Sequence, residues 1–455
     1  MNMQEQIQTS GSTRSTAEAA RSHAPRPASG VRPVSKPSAA ELMAPVIEGL
    51  VGPVPVRVEF WDGSVLGPTG GDTALLVRSP NALRRMVWAP GELGLARAFV
   101  TGEIDAVGDL FEVIKALRPA GVKLHNAKRV GPAAVAAVYR LGLLGRPLPP
   151  PSEEAPNRRH QHVKHHDAAS ISHHYDVGNE FYRLVLGEAM TYSCARFVDA
   201  STTLEEAQAA KHELICRKLG LHERSGMRLL DVGCGWGSTA MHAAREHGAR
   251  VVGVTISEEQ AKEARRRVDA AGLGELIEIR LQDYRDLSGE RFDAIASIGM
   301  FEHVGKNRMA EYFNVLRCLL GPHGRLLNHA ISSVGGSRLS PTSFAYRYVV
   351  PDGELIDIGD TAIAMQAAGF EVRDVESLRE HYAMTLRHWV ANLREHWDTA
   401  VALVGEPRAR VWLLYMTASA VGFEDAGLNI HQTLGIVRNV DDGSSGMPRT
   451  RREWN

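Results

Sequence analysis

The side chains most able to do chemistry lie in the second half of the chain. Asp231 falls near the end of the short apolar run Arg228 to Val232, and Gly233-Cys234-Gly235-Trp236-Gly237 follows at once. Glycines directly after a strand let the backbone turn sharply and approach a ligand closely. Dinucleotide enzymes and tight structural turns share such a triplet, although the spacing here is G-x-G-x-G rather than G-x-G-x-x-G. Thr255, Asp283 and Glu302 fall at or just past the ends of further apolar runs. Taken singly, each remaining candidate has a plain structural account. Cys194 reads as a small buried hydrophobe. Glu302 reads as an acid favoured at a helix N-terminus, and His329 and Tyr382 read as core residues.

The elements that must hold these residues follow from periodicity. Arg228 to Val232, Arg250 to Val254, Leu276 to Leu281, Phe292 to Ile298 and Gly324 to Ala330 read as strands. Helices are expected from the glycines to about Glu246, over Glu258 to Ala271 and over Arg308 to Leu320. Strand and helix alternate, which argues for an α/β fold built on a doubly wound, mostly parallel sheet. Ligands on such sheets bind beyond the carboxyl ends of the strands, where Asp231, Thr255, Asp283 and Glu302 are expected. Arg379 to Leu393 has amphipathic helical spacing.

The chain divides by composition. Residues 1–38 are rich in Ser, Ala, Pro, Gln and Arg and read as a disordered tail. Glu5, Glu18 and the prolines oppose a transit peptide. Residues 39–145 read as a small α+β domain. Val54, Val56, Val58 and Phe60 alternate as in a half-buried strand, Asp62-Gly63 marks a turn, and Thr73 to Val77 reads as a second strand. Short helices are expected over Asn81 to Trp88, Gly91 to Phe99 and Leu110 to Leu117. Ala133 to Leu144 reads as a core helix rather than a membrane-surface helix. Residues 146–167 form a linker. Its first part, Arg146 to Pro156, holds five prolines, and Asn157 to His166 carries Arg158, Arg159, Lys164 and four histidines. That run reads as a solvated face or a lipid-headgroup contact, and no metal site is expected because no cysteine or carboxylate cluster completes one. Residues 168–437 form the large domain, and residues 438–455 a C-terminal tail.

Charge and cysteine content narrow the function classes. Lys and Arg total 52 against 53 Asp and Glu, so no bulk positive charge is available for nucleic acid. Four cysteines in 455 residues are too few for a disulfide scaffold, which suits a reduced, cytoplasmic setting. No stretch approaches the roughly 20 apolar residues of a membrane span.

Leu229 to Gly237, with Gln282-Asp283-Tyr284, resembles the class I S-adenosylmethionine methyltransferases. Many of those enzymes carry an acid at the end of the second strand, where this chain reads Gly253-Val254-Thr255. Further stretches narrow the likeness: His174-Tyr175-Asp176-Val177-Gly178-Asn179, Met190-Thr191-Tyr192-Ser193-Cys194, Phe301-Glu302-His303 and His381-Tyr382. In this order they resemble the cyclopropane-fatty-acyl-phospholipid synthases and the related mycolic acid cyclopropane synthases, strongly over residues 165–437. Residues 40–145 look like the small N-terminal domain of the phospholipid-acting branch.

The resemblance implies a lipid-modifying methyltransferase that converts cis double bonds of phospholipid acyl chains to cyclopropanes. It implies S-adenosylmethionine, contacted by Tyr192, Ser193, Gly233, Gly235, Thr255, Gln260 and Asp283. It also implies a bicarbonate ion held by Cys194, Glu302, His329, Ile331 and Tyr382, with Cys194, Glu302, His329 and Tyr382 as the catalytic set. Some relatives have a cysteine where this chain has Ser419. Two alternatives remain: a same-family enzyme giving methylene- or methyl-branched chains, and a lipid-binding protein with an inactive methyltransferase domain. A phospholipid substrate implies peripheral contact with the inner face of the cell membrane. The small domain is expected to serve lipid access or to pair two copies of the chain.

Overall fold

The computed structural model describes residues 36–117, 127–155, 177–350 and 353–451. Most of the expected disordered tail, the basic stretch around Arg158, Arg159 and Lys164, and His174 to Asp176 lie outside the described residues.

The N-terminal part is built on four short strands, β1 (Arg57–Phe60), β2 (Val65–Leu66), β3 (Ala74–Val77) and β4 (Ile104–Val107), in the order β2-β1-β3-β4. The alternating valines do what their spacing requires: Val56, Val58 and Phe60 point inward against Ala98, Phe99 and Ile104. Gly63 closes the turn between β1 and β2 at φ +79°. The Asp62 carboxylate beside it accepts from the Ala39 N–H at 2.7 Å, which ties the start of the Ala39–Val51 helix to the sheet.

One expectation fails here. The apolar run after Ala133 is not a core helix. The helix spans Ala127–Arg140 and packs along Ala39–Val51. It buries Ala137, but Val135 is 70% and Tyr139 77% exposed. Val135, Ala136 and Tyr139 thus face outward on the flank away from that neighbour.

The proline-rich segment that follows is extended, as its composition dictates, and it is firmly docked at Glu154. That carboxylate is fully buried. It takes two bonds from Arg97 (2.6 and 2.7 Å), pairs with Arg347 at 2.6 Å and accepts from the Tyr348 hydroxyl at 3.1 Å.

The large sheet has seven strands: β5 (Arg228–Val232), β6 (Arg250–Thr255), β7 (Ile277–Leu281), β8 (Phe292–Ile298), β9 (Leu320–Ser332), β12 (Glu371–Ser377) and β13 (Asn429–Ile436). A separate antiparallel pair, β10 (Ser337–Arg338) and β11 (Glu354–Leu355), lies outside it. The order is β12-β13-β9-β8-β5-β6-β7. Strands β5 to β9 run parallel, and β13 runs antiparallel to both its neighbours. The order reverses at β5, so a crevice opens at the carboxyl ends of β5 and its neighbours. Helices cover both faces. Two long ones, Arg379–Glu395 and Glu406–Glu424, pack together and wall the crevice with Tyr382, Leu386, Trp389, Tyr415 and Phe423.

The two halves share cores. Arg410 in the Glu406–Glu424 helix donates to the carbonyls of Phe99 (2.6 Å) and Ile104 (2.8 Å). Phe111 is buried in the same cluster as Trp412 and Tyr382. The chain from Ser38 to Asn455 makes one compact unit.

Candidate active site

The glycine turn sits where a ligand can reach it. After β5, Gly233 and Gly235 adopt φ +76° and +54°, and both line the cavity. A Cβ on Gly233 would come within 3.1 Å of Met300 and stand in the cavity wall. Both Gly233 and Cys234 donate their N–H groups to the Val254 carbonyl, pinning the turn to β6. Gly253 permits this, because a Cβ there would sit 3.1 Å from the Cys234 side chain. Trp236 Nε1 donates to Asn179 Oδ1 at 2.8 Å, so the turn also holds the segment leading to Tyr192.

That segment is strained at one point. Met190 has φ +47°, the left-handed region that non-glycine residues rarely adopt. Ser238 Oγ and the Arg267 guanidinium hold the adjacent Ala189 carbonyl, which fixes the bend. Beyond it, Thr191, Tyr192 and Ser193 face the cavity.

The ends of β6 and β7 supply the other side. The Thr255 hydroxyl donates to Gln260 Oε1 at 3.0 Å, and both side chains are buried against the cavity. Asp283 lines it too, with both carboxylate oxygens engaged by Arg285: Oδ1 by Nε at 2.9 Å and Oδ2 by Nη2 at 2.5 Å.

Two polar groups, Glu302 and His329, line the cavity beside several aromatic side chains. Glu302 stands in the short turn Phe301–His303 after β8. Its Oε1 accepts from the Ile331 N–H at 2.7 Å, and its Oε2 is shielded from solvent with no partner among the described residues. Burial pushes this carboxyl up to about 7. His329, in β9, is fully buried and holds Gln432 on its Nδ1 at 3.2 Å, while Nε2 has no described partner. Burial, with the Lys211 and Lys218 ammoniums nearby, drives its pKa well below the usual histidine value. Around these, Tyr192 stacks on Trp389 at 5.4 Å, and Tyr382 packs on Phe423 at 4.7 Å.

Of the residues expected from sequence, Tyr192, Ser193, Gly233, Gly235, Thr255, Gln260, Asp283, Glu302, His329, Ile331 and Tyr382 all line this one cavity. Cys194 does not. Its thiol turns to the carbonyls of Ala195 (3.2 Å) and Leu378 (3.6 Å), and burial raises its pKa far out of the thiolate range.

Several residues escaped the sequence reading. Tyr415 hydrogen-bonds with Tyr192 and Ser419, and burial pushes its phenol up to about 12. Ser419 thus keeps a polar contact at the cavity wall. Lys211 is fully buried and donates to Ser193 Oγ at 3.0 Å. Burial depresses that ammonium to about 7 and raises the nearby Asp231 carboxyl to about 7. Lys211 and Lys218 lie on the helix Leu204–Leu219, and nothing in their sequence neighbourhood marks them as buried. Away from the cavity, donor atoms of Cys216, His242 and His247 lie within 4.8 Å of one another, and Glu213 engages both imidazoles.

A glycine turn after the first strand, polar groups after the second and third, and an antiparallel last strand define a class I S-adenosylmethionine-dependent methyltransferase. The comparisons with known proteins place it more closely. Residues 162–433 match the family model described as mycolic acid cyclopropane synthetase, and the chain belongs to that family. A probable fatty acid methyltransferase of Mycobacterium tuberculosis is 43% identical over 432 residues, spanning 90% of this chain and 98% of that protein. The cyclopropane-fatty-acyl-phospholipid synthase of Escherichia coli is 38% identical over 270 residues, 59% of this chain and 68% of that one. Among solved structures, a mycolic acid cyclopropane synthase complexed with SAH and CTAB is 35% identical, with a TM-score of 0.55 over 59% of this chain and 98% of that chain. The protein is therefore an S-adenosylmethionine-dependent methyltransferase that modifies lipid acyl chains. Among the described residues, no helix is long and apolar enough to cross a membrane.

Proposed function

We propose that the protein builds cyclopropane rings across cis double bonds in phospholipid acyl chains, with bicarbonate as a bound anion. One observation carries this reading: Glu302, tethered by one oxygen, and His329, with an unpaired Nε2, line the same cavity as the aromatic side chains Tyr192, Tyr382, Trp389 and Phe423. S-adenosylmethionine supplies an electrophilic methyl group. An alkene is a poor nucleophile and gains positive charge when it accepts a methyl. The faces of Tyr192, Tyr382, Trp389 and Phe423 would stabilise that charge and keep water from trapping it.

Ring closure requires a proton to leave the added methyl, so a base must stand nearby. Bicarbonate supplies such a base. His329 and Tyr382 would donate to it, and Glu302, raised to about 7, could stay protonated beside it. Ile331 would act through Glu302, since its N–H is already bonded there. The Cys194 thiol, turned toward two carbonyls, is left out of this set.

The Escherichia coli relative, named for phospholipid, supports that substrate. Reaching it requires peripheral contact with the inner face of the cell membrane, with the N-terminal part serving lipid access or pairing of two chains. A methylene- or methyl-branched product is the second reading, favoured by the name of the fatty acid methyltransferase relative. Lipid mass spectrometry after expression in a host with unsaturated lipids and no such activity tests both. Monounsaturated chains should gain one CH₂. Ozonolysis then separates a resistant ring from a cleavable methylene, and an unchanged lipid profile would sink the proposal.

A further inference from the structure

The buried Nδ1 of His329 faces a polar chain that the reaction chemistry does not itself require. Gln432 lies directly opposite His329 across the β13–β9 pair, and Glu376 lies opposite Gln432 across β12–β13. Lys218, from the Leu204–Leu219 helix beneath the sheet, joins them. Its ammonium is 3.0 Å from Asp374 Oδ2, pairs with Glu376 and donates to Gln432 Oε1 at 3.0 Å. Gln432 Nε2 in turn lies 3.2 Å from His329 Nδ1. Lys218 and Gln432 are both fully buried, at 0% exposure.

The direction of each bond in this chain is forced. A lysine ammonium has three donors and no acceptor, so it must face the amide oxygen of Gln432. The amide NH₂ must then face His329. An NH₂ group can only donate, so Nδ1 must accept and carry no proton. The ring proton is left on Nε2, the atom with no described partner, which belongs to a side chain lining the cavity. A buried lysine costs several kcal/mol of desolvation unless its partners compensate, and an apolar side chain would fill the same space without that cost. The sheet therefore holds a charge whose effect reaches the active site as a choice of tautomer.

We infer that Lys218 and Gln432 are positioning residues that fix His329 as its Nε2–H tautomer, so that the imidazole serves as a hydrogen-bond donor toward an anion in the cavity and not as the base of the reaction. The part played toward the anion rests on the function proposed above; the tautomer does not. Low basicity of the ring agrees with it, since a histidine kept neutral keeps its tautomer across the working pH range.

The test is a nitrogen-15 and proton correlation spectrum of the full-length protein labelled at histidine, with the His329 signals assigned by their loss in His329→Gln. The wild type should show a protonated Nε2 and a bare Nδ1. A protonated Nδ1 overturns the inference without any further variant. In Gln432→Glu the carboxylate can accept from both Lys218 and the ring, so the proton should move to Nδ1. Turnover should then fall about 10–100-fold with unchanged S-adenosylmethionine affinity, the scale of a lost orienting partner. In Lys218→Met the amide is free to turn over, and both tautomers should appear. A folded Gln432→Glu protein that keeps the wild-type tautomer removes the relay. Should the tautomer follow these rules in a protein inert on unsaturated lipid, the relay stands and the lipid reading falls.

Discussion

Glu302 is the residue whose protonation the site controls most directly. Burial raises its carboxyl from 4.5 to about 7. A carboxyl raised in the fold opposes folding once the unfolded chain ionises. That penalty is absent below about pH 4, grows between about 4.5 and 7, and is complete above. Glu302→Gln removes the charge and keeps an oxygen for the Ile331 N–H. The variant should match the wild type in stability near pH ~4 and exceed it near pH ~8, by on the order of 2 kcal/mol once the side open to the cavity is discounted. Thermal melts across pH measure this, and a constant offset would show that the carboxyl is not shifted. The same variant should bind S-adenosylmethionine normally and lose on the order of 10²–10⁴ in turnover, because proton handling is disturbed and the glycine turn is not. At the other end of the cavity, Asp283→Ala should weaken S-adenosylmethionine binding by roughly 1–3 kcal/mol, the cost of one lost hydrogen bond to a ligand amine. Calorimetry showing unchanged affinity would mean that Asp283 serves only to hold Arg285.

Individual elements explain what was legible and what was not. Strands β5 and β8 were readable to the residue, because each is a short apolar run between a turn and a glycine. Their loops were equally plain, since a ligand-facing backbone leaves glycines and acids at fixed places. Strand β9 was read too short at both ends; it begins at Leu320 and continues through Ile331 to Ser332. Gly321, Pro322, His323 and Gly324 hide its start, because they are turn residues by type and only the pairing of Leu320 with Phe292 on β8 shows that the strand has begun. The Lys218–Gln432–His329 chain was invisible, because its members come from one helix and two strands that only the fold brings together. Glu154 was hidden for a similar reason: the prolines around it announce an extended chain but not what that chain touches. Its charge answers Arg97 from one helix and the adjacent Arg347 and Tyr348 from another, far apart in sequence. Glu154→Ala should therefore cost about 2–3 kcal/mol, below the penalty for a fully buried pair because the carboxylate is buried while Arg97 and Arg347 keep part of their surface in water. Chemical denaturation measures this, and a loss below about 1 kcal/mol would mean that the arginines find other partners.

For the whole molecule, composition suggested separable parts, whereas the packing joins them. Leu413 and Leu414, on the Glu406–Glu424 helix, pack against the core of the N-terminal sheet, and Arg387 lies 4.1 Å from the centre of the Phe111 ring. Calorimetry of the full chain should accordingly give one cooperative transition rather than two. Two resolved transitions, with the N-terminal part melting first, would show that the shared cores are weak. Arg410 sharpens the point. Its guanidinium closes the carbonyls of Phe99 and Ile104, which bracket the turn into β4. A residue more than three hundred positions downstream thus completes the backbone bonding of the first sheet. Anyone grafting residues 38–155 onto a relative would have to carry the inner face of a late helix along with them. Inheritance in such a protein is divided by surfaces, and the seam between transplantable pieces does not run through the proline-rich stretch.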